Sequence, residues 1–267
     1  MKNNILNVIK RLFFVPICAS CHERLSPIAE NMDITHSKVC LCISCAENWH
    51  KEKAKMCPAC TKTANECVCT PKFFAKYQDH IPSVCFYSPD SSDAASSAIL
   101  SAKRRNDKEL FDFFALELAD NMKSAIPELE KSPEQCIITW MPRSKASINK
   151  YNFDQGCSLA TSVGDILKID VLPLFERKGG KEQKKLDKKG RKENAEASTV
   201  LNEGLKGIKE KYGNDIEDVV KGKTVIILDD VITSGATLKR GFLLLLPLKP
   251  KSIYASTVAK TEIKRKK

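Results

Sequence analysis

Two adjacent carboxylates, Asp229 and Asp230, precede a run of small, hydroxyl-bearing residues, Thr233-Ser234-Gly235-Ala236-Thr237. The two halves suit different parts of one ligand. Carboxylates repel phosphate, but they accept hydrogen bonds from sugar hydroxyls and hold hydrated Mg²⁺. The hydroxyl-rich turn offers O–H and backbone N–H donors, and at a helix N-terminus such donors attract an anion. Gly235 lets the backbone come close to an oxyanion. A ribose 5-phosphate satisfies both halves, with its phosphate in the turn and its 2- and 3-hydroxyls on the aspartates. The rival reading, an acidic pair binding a metal at the end of a core strand, leaves Thr233–Thr237 without a purpose. No GxxxxGK[ST] loop and no GxGxxG fingerprint occurs in the chain.

A second chemistry lies near the N-terminus. The chain has twelve cysteines, and four close pairs fall before Thr70: Cys18/Cys21, Cys42/Cys45, Cys57/Cys60 and Cys67/Cys69. Close pairing argues for metal in a reducing compartment rather than for disulfides. Each pair can place two thiolates on one tetrahedral Zn²⁺, so four pairs make two closed structural sites, a double zinc ribbon. Sequential and interleaved pairings both fit the spacing, and Cys40 can substitute for Cys42. His22, His36 and His50 are read as spectators. A polar segment this short needs metal to hold a fold.

The elements that position these residues follow from the hydrophobic pattern. Val225–Leu228 is a short apolar run that reads as a buried parallel strand, ending where the acids begin. Leu238–Leu246 is the helix after the turn, and Ser252–Ala259 a further strand. Upstream, Ile81–Ser88 reads as a strand and Ser92–Lys103 as a helix capped by Ser92. Asp107–Ile126 reads as an amphipathic helix with Leu110, Phe111, Phe114, Leu118 and Met122 on one face. Cys136–Met141 is a second buried strand, running into the loop Pro142-Arg143-Ser144-Lys145. A helix through Leu159, Val163 and Leu167 and a strand at Ile169–Leu174 follow. Strands alternating with helices predict a parallel α/β sheet, whose ligands sit beyond the carboxyl ends of the strands. Asp229, Asp230 and Arg143–Lys145 all lie there. Lys72–His80 reads as the joint between an N-terminal module, residues 1–75, and an α/β domain, residues 76–267.

The net charge is +11, which suits polyanionic partners such as nucleic acid or phosphorylated metabolites. The charge concentrates in Arg177–Lys192 and in Lys260–Lys267, the latter read as a solvated tail; the stretch Arg177–Asn194 reads either as a lid that closes over a phosphate ligand or as a plain surface loop. Ile5, Val8, Leu12 and Phe13 recur at helical spacing and predict a short docking helix. No stretch is long enough to span a membrane, and a cytoplasmic location is expected.

Val225–Leu238 resembles the phosphoribosyl-pyrophosphate (PRPP) loop of type I phosphoribosyltransferases: apolar residues, two acids, two apolar residues, then Thr-Ser-Gly-Ala-Thr. The resemblance implies that Asp229 and Asp230 serve catalysis and that Thr233, Ser234, Gly235, Ala236 and Thr237 bind PRPP with Mg²⁺. It also implies that Arg143, Ser144 and Lys145 receive the pyrophosphate end. The whole chain resembles the ComF family, a double zinc ribbon fused to a phosphoribosyltransferase-like domain. Besides the cysteine pairs, Lys103 and Asp107 match its Leu-Lys-x-x-x-Asp segment. Phe153 and Gln155 match its Arg-Gly-Phe-Asn-Gln signature, and Glu182-Gln183, Leu186, Arg191 and Asn194 match the loop before the PRPP motif. The signature's Arg-Gly is Tyr151-Asn152 here and its Asn is Asp154, so the role of that Arg does not transfer.

The ComF resemblance implies a part in DNA uptake during natural transformation, with uptake or helicase machinery as partners. On that reading single-stranded DNA lies along Lys103, Arg104, Arg105, Lys184, Lys185, Lys188, Lys189 and Arg191, with Tyr151 or Phe153 as stacking faces. The alternative is a metabolic transferase that moves phosphoribose to a nitrogen acceptor. Salvage enzymes carry a hood segment for the base, and no matching segment is recognised here. A third reading keeps the zinc ribbons as an interaction adaptor beside an inert domain.

Overall fold

The computed structural model describes residues 17–25, 40–178, 199–202 and 215–261. The docking helix expected near the N-terminus lies outside them, as do Lys184, Lys185, Lys188, Lys189 and Arg191 of the basic loop.

The described chain begins with a cysteine turn and then forms α1 (Ile43–Lys53), β1 (Ser83–Tyr87), α2 (Ala94–Ala102), α3 (Lys108–Ala125) and the short α4 (Glu128–Lys131). Next come β2 (Cys136–Trp140), α5 (Lys145–Tyr151), α6 (Gln155–Leu167), β3 (Asp170–Val171), β4 (Phe175–Arg177) and β5 (Thr199–Leu201). The last elements are α7 (Ile216–Val220), β6 (Thr224–Ile232), α8 (Ala236–Leu245) and β7 (Ser252–Thr261). Five strands make one sheet in the order β1-β7-β6-β2-β3, and every pairing in it is parallel. β4 and β5 form a separate antiparallel pair.

The apolar run of β6 is continuous because both of its faces are buried. Ile226 and Leu228 join the core with α3 and α6, whereas Val225 and Ile227 join the core with α8. The expected face of α3 is buried throughout, including Leu110, Phe114, Leu118 and Met122.

Several local expectations need correction. β6 does not end before the acids. It continues to Ile232, because β7 runs beside it and pairs Asp229 with Thr257 and Ile232 with Lys260. The cap of α2 is Asp93, whose carboxylate accepts from the Ser96 N–H. A carboxylate is as good a cap as the Ser92 hydroxyl expected there. The strand expected over 169–174 shrinks to Asp170–Val171. The Pro142–Lys145 loop turns into α5, a helix the pattern did not announce.

Lys260 is not part of a solvated tail. It closes β7 and is 5% exposed.

The stretch 72–80 is tightly packed. Phe73, Phe74 and Tyr77 surround the Phe242 ring at centroid distances of 5.9, 5.3 and 5.1 Å. The Gln78 amide pairs with both backbone groups of Ala255, accepting from its N–H at 2.6 Å and donating to its carbonyl at 3.1 Å. Trp49 of α1 is buried against Phe113 and Phe114 of α3, and Lys53 pairs with Glu117. The cysteine-rich segment is thereby fastened to α3 and α8 by its aromatic contacts, and Gln78 ties the chain after it to β7. Among the described residues no helix is long and apolar enough to cross a membrane.

Candidate functional site

The cysteines resolve into two sets, Cys18, Cys21, Cys42, Cys45 and Cys57, Cys60, Cys67, Cys69, each with its sulfur atoms within 4.8 Å of one another. This is sequential pairing. Sulfur atoms on a tetrahedral Zn²⁺ with Zn–S near 2.3 Å stand about 3.8 Å apart. Cys21 and Cys42 Sγ are 3.7 Å apart, and Cys60 and Cys67 Sγ are 3.6 Å apart. The donor set and its spacing therefore fit zinc, and each set can hold one ion.

The two sets share a local design. In each, the first cysteine carbonyl accepts the N–H of the residue after the second cysteine, His22 at 3.0 Å and Thr61 at 2.9 Å. Both of those residues turn left-handed, at φ 64 and 56. Cys40 stands outside the first set. Its thiol is buried, which raises its pKa and keeps it protonated. His22 and His50 also lie outside both sets, and His36 is outside the described residues.

At the other end of the chain, β6 delivers the acids. Asp229 Oδ1 accepts the Asp230 N–H at 2.9 Å, and Asp230 Oδ1 accepts the Val231 N–H at 2.7 Å. The second Asp230 oxygen accepts Gln155 Nε2 at 2.7 Å and faces Lys103 Nζ at 3.1 Å. Burial, and then the charge of Asp230, hold the Asp229 carboxyl well above its usual pKa. Thr233 and Ser234 are exposed and Gly235 is buried. Gly235 caps α8 at φ 72, no side chain caps that helix, and no acid lies in its first turn. The N-terminal N–H groups of α8 thus face the loop without a carboxylate among them. A Cβ on Gly235 would lie 2.8 Å from Phe74 Cε2 and 3.0 Å from Pro71 Cγ. The turn therefore rests against the chain that leaves the second cysteine set.

The Pro142–Lys145 stretch lies beside the acids because β2 and β6 are neighbours, with Trp140 opposite Leu228. The Arg143 guanidinium donates to the Lys103 carbonyl at 2.6 Å and lies over the Tyr151 ring at 4.5 Å. Its Nη1 is buried with no hydrogen-bond partner. Ser144 caps α5, accepting from the Ser147 N–H at 3.2 Å. Lys145 is exposed. Asp154 gathers three donors, the N–H groups of Arg143 and Gly156 and the Trp140 indole. Asn152 has φ 59, a backbone position that Asn and Gly tolerate.

The remaining basic residues divide. Lys103 turns inward to Asp230, and Arg105 pairs with Asp107 at 3.4 Å, while Arg104 is exposed. Phe153 does not offer the expected stacking face, since it is buried against Phe111. Tyr151 is covered in part by Arg143 and Lys150.

Three site neighbours were not singled out as such from sequence: Gln155, Lys260 and Arg177. Arg177 donates to the Pro142 carbonyl at 2.9 Å, and burial lowers its guanidinium pKa against the opposing charge of Asp229. Only contact across the sheet could reveal Arg177, because 52 residues separate it from its charge partner.

Residues 177–267 match the sequence profile described as phosphoribosyl transferase domain. No curated protein matches the chain. Among solved structures, it is similar to one titled as the allosteric regulatory enzyme of purine biosynthesis, at 15% identity and TM-score 0.33, covering 62% of this chain and 26% of that one. A purine phosphoribosyltransferase from Pyrococcus horikoshii Ot3 is 18% identical at TM-score 0.32, over 57% of this chain and 83% of that one. A hypothetical protein from Neisseria gonorrhoeae with bound ppGpp is 12% identical at TM-score 0.34, over 60% and 72%. The chain spans about a quarter of the length of the first of these. Residues 177–267 thus resemble a phosphoribosyltransferase domain, and they lie in a chain with a parallel five-stranded α/β sheet and two zinc-compatible cysteine sets before it.

Proposed function

We propose that the chain binds PRPP with Mg²⁺ at the carboxyl ends of β2 and β6, as a ComF-like protein that also handles single-stranded DNA. The observation that carries the PRPP reading is a juxtaposition. An acidic pair, an uncapped helix N-terminus behind Gly235 and the Arg143–Lys145 stretch meet at the ends of two adjacent parallel strands. The 5-phosphate takes the N–H groups and hydroxyls of Thr233–Thr237. The ribose hydroxyls donate to Asp229 and Asp230. Arg143 and Lys145 face the pyrophosphate, and Arg143 Nη1 still has a donor to give. Bound Mg²⁺ would neutralise pyrophosphate charge. Residues 1–75 and 76–267 are taken as the two units of this architecture, the first built on two structural zinc ions.

Calorimetric titration tests this reading. PRPP with Mg²⁺ binds the wild type, and the Asp229→Asn, Asp230→Asn double variant loses roughly ten- to a hundredfold in affinity per charged hydrogen bond removed. Equal affinities would move the ligand elsewhere. A second reading, transfer of phosphoribose to a nitrogen acceptor, is favoured by the domain match at 177–267. Pyrophosphate release in a screen of amine and nucleobase acceptors separates it from binding alone. The ComF assignment rests on the cysteine pairs, Lys103 with Asp107, and Phe153 with Gln155. The part in DNA uptake stands or falls with single-strand binding.

A further inference from the structure

We propose that Lys260 is the internal counter-charge of the second cysteine set, and that through it metal at that set fixes the end of β6 from which the Thr233 turn begins. The inference rests on the zinc reading of Cys57, Cys60, Cys67 and Cys69, not on PRPP binding.

Lys260 Nζ donates to the Ile81 carbonyl at 2.8 Å and to the Cys67 carbonyl at 3.3 Å. Two neutral acceptors occupy two of its three donors. They supply no opposite charge, and a buried ammonium without one is costly. Its Nζ holds the Cys67 backbone, and Lys260 shares one cleft with Cys57, Cys67 and Cys69. Four thiolates around one Zn²⁺ carry a net charge of −2, so the set needs a cation as much as the lysine needs an anion. Each answers the other's burial. Cys57 and Cys67 are 1% and 2% exposed, so water does little for this inner half of the set, while Cys60 and Cys69 are partly exposed.

The same contact reaches the turn. Lys260 is paired with Ile232 across β6 and β7, and Thr261 Oγ1 donates to the Ile232 carbonyl at 3.4 Å. Thr233 follows Ile232 directly. A cleft of about 200 Å³ is lined by Cys57, Cys67, Cys69, Thr233, Lys260 and Thr261, so the metal set and the turn share one wall. A bland alternative exists: Lys260 merely fills space and satisfies two carbonyls. In that case its charge is irrelevant to metal.

The test compares full-length wild type, Lys260→Met and Lys260→Arg, each loaded with zinc and dialysed against graded chelator. Wild type should retain two zinc ions per chain. Lys260→Met should release one of them about ten- to a hundredfold more readily, the range typical of groups just outside a metal's ligands. Lys260→Arg should restore most of the difference. In a Cys18→Ser, Cys21→Ser background the effect should persist, and in a Cys57→Ser, Cys60→Ser background it should vanish. Equal retention by wild type and Lys260→Met overturns the proposal, as does Lys260→Arg behaving like Lys260→Met. Should Lys260→Met fail to fold, hydrogen exchange on wild type decides. Stripping zinc must deprotect the amides of 231–235 and 258–261, and unchanged protection overturns the proposal. A wild type without zinc would sink the zinc reading itself, before any variant is compared.

Discussion

Lys103 and Asp230 form an ion pair, Nζ to Oδ2 at 3.1 Å, that joins the C-terminal end of α2 to the acidic pair on β6. Gln155 binds the same carboxylate oxygen, and Arg143 donates to the Lys103 carbonyl. The two acids are therefore unequal. Asp230 has a cation in contact, whereas Asp229 makes no ion pair among the described residues, and burial and then the charge of its neighbour raise its pKa.

That inequality sets a pH dependence. The folded pKa of Asp229 lies above its unfolded value, so the native state holds the proton longer than the unfolded chain does. Between those two values stability falls as pH rises. Below the ordinary carboxylate range both states are protonated and the dependence disappears. Asp229→Asn keeps the acceptor for the Asp230 N–H but removes the charge. Denaturant unfolding at neutral pH should find this variant at least as stable as the wild type, with the difference vanishing in acid. Calorimetry on the same variant should find PRPP binding weakened. A variant clearly less stable at neutral pH would place the Asp229 charge among the stabilising groups.

Gly235 is constrained twice, by its left-handed backbone and by Phe74 and Pro71 behind it. Gly235→Ala should cost about 1–3 kcal/mol from backbone conformation alone, plus the displacement of Phe74. Urea unfolding measures the loss. PRPP affinity should fall as well, because the turn must move to admit the methyl group. An unperturbed midpoint would mean that the turn shifts freely and is not braced by the aromatic cluster.

The metal content distinguishes Cys40 from Cys42. Cys42→Ser removes a ligand, so elemental analysis should fall from two zinc ions per chain towards one. Cys40→Ser replaces a buried protonated thiol outside both sets and should leave the count at two. Full chelation should unfold the cysteine-rich segment, exposing Trp49 and red-shifting its fluorescence. A Cys40→Ser protein with one zinc ion would return Cys40 to the ligand set.

These contrasts mark what a linear reading captures. The cysteine pairs, the apolar run of β6 and the Gly235 turn are local patterns, and their elements were legible from spacing. The face of α3 was legible for the same reason. The pairing order of the cysteines was not, because spacing permits two answers and folding chooses one. Lys260 was misread for a related reason: composition places it in a basic tail, whereas β7 carries it inside. Lys103 likewise belongs to a basic triplet in sequence, yet its partner lies 127 residues away. Charge runs report composition, and only the sheet decides which cations turn inward.

The DNA reading makes the most exposed prediction. Lys103 is committed to Asp230, so it should matter for PRPP and little for a polyanion. Arg104 is exposed, and Lys184, Lys185, Lys188 and Lys189 supply the remaining candidate charge. A single strand that contacts about five cations gives a slope of log K against log salt near −3.5. Neutralising the four loop lysines should flatten it to about −0.7 and weaken binding for all sequences alike. Lys103→Met serves as the contrast: its slope should match the wild type while its PRPP affinity changes. Fluorescence anisotropy across a salt series measures each slope. If the wild type binds no single strand at low salt, the loop cations belong to PRPP alone and the transferase reading leads. If Lys103→Met flattens the slope as much as the loop variant does, Lys103 leaves Asp230 to meet the strand, and the ion pair is a switch between two anions.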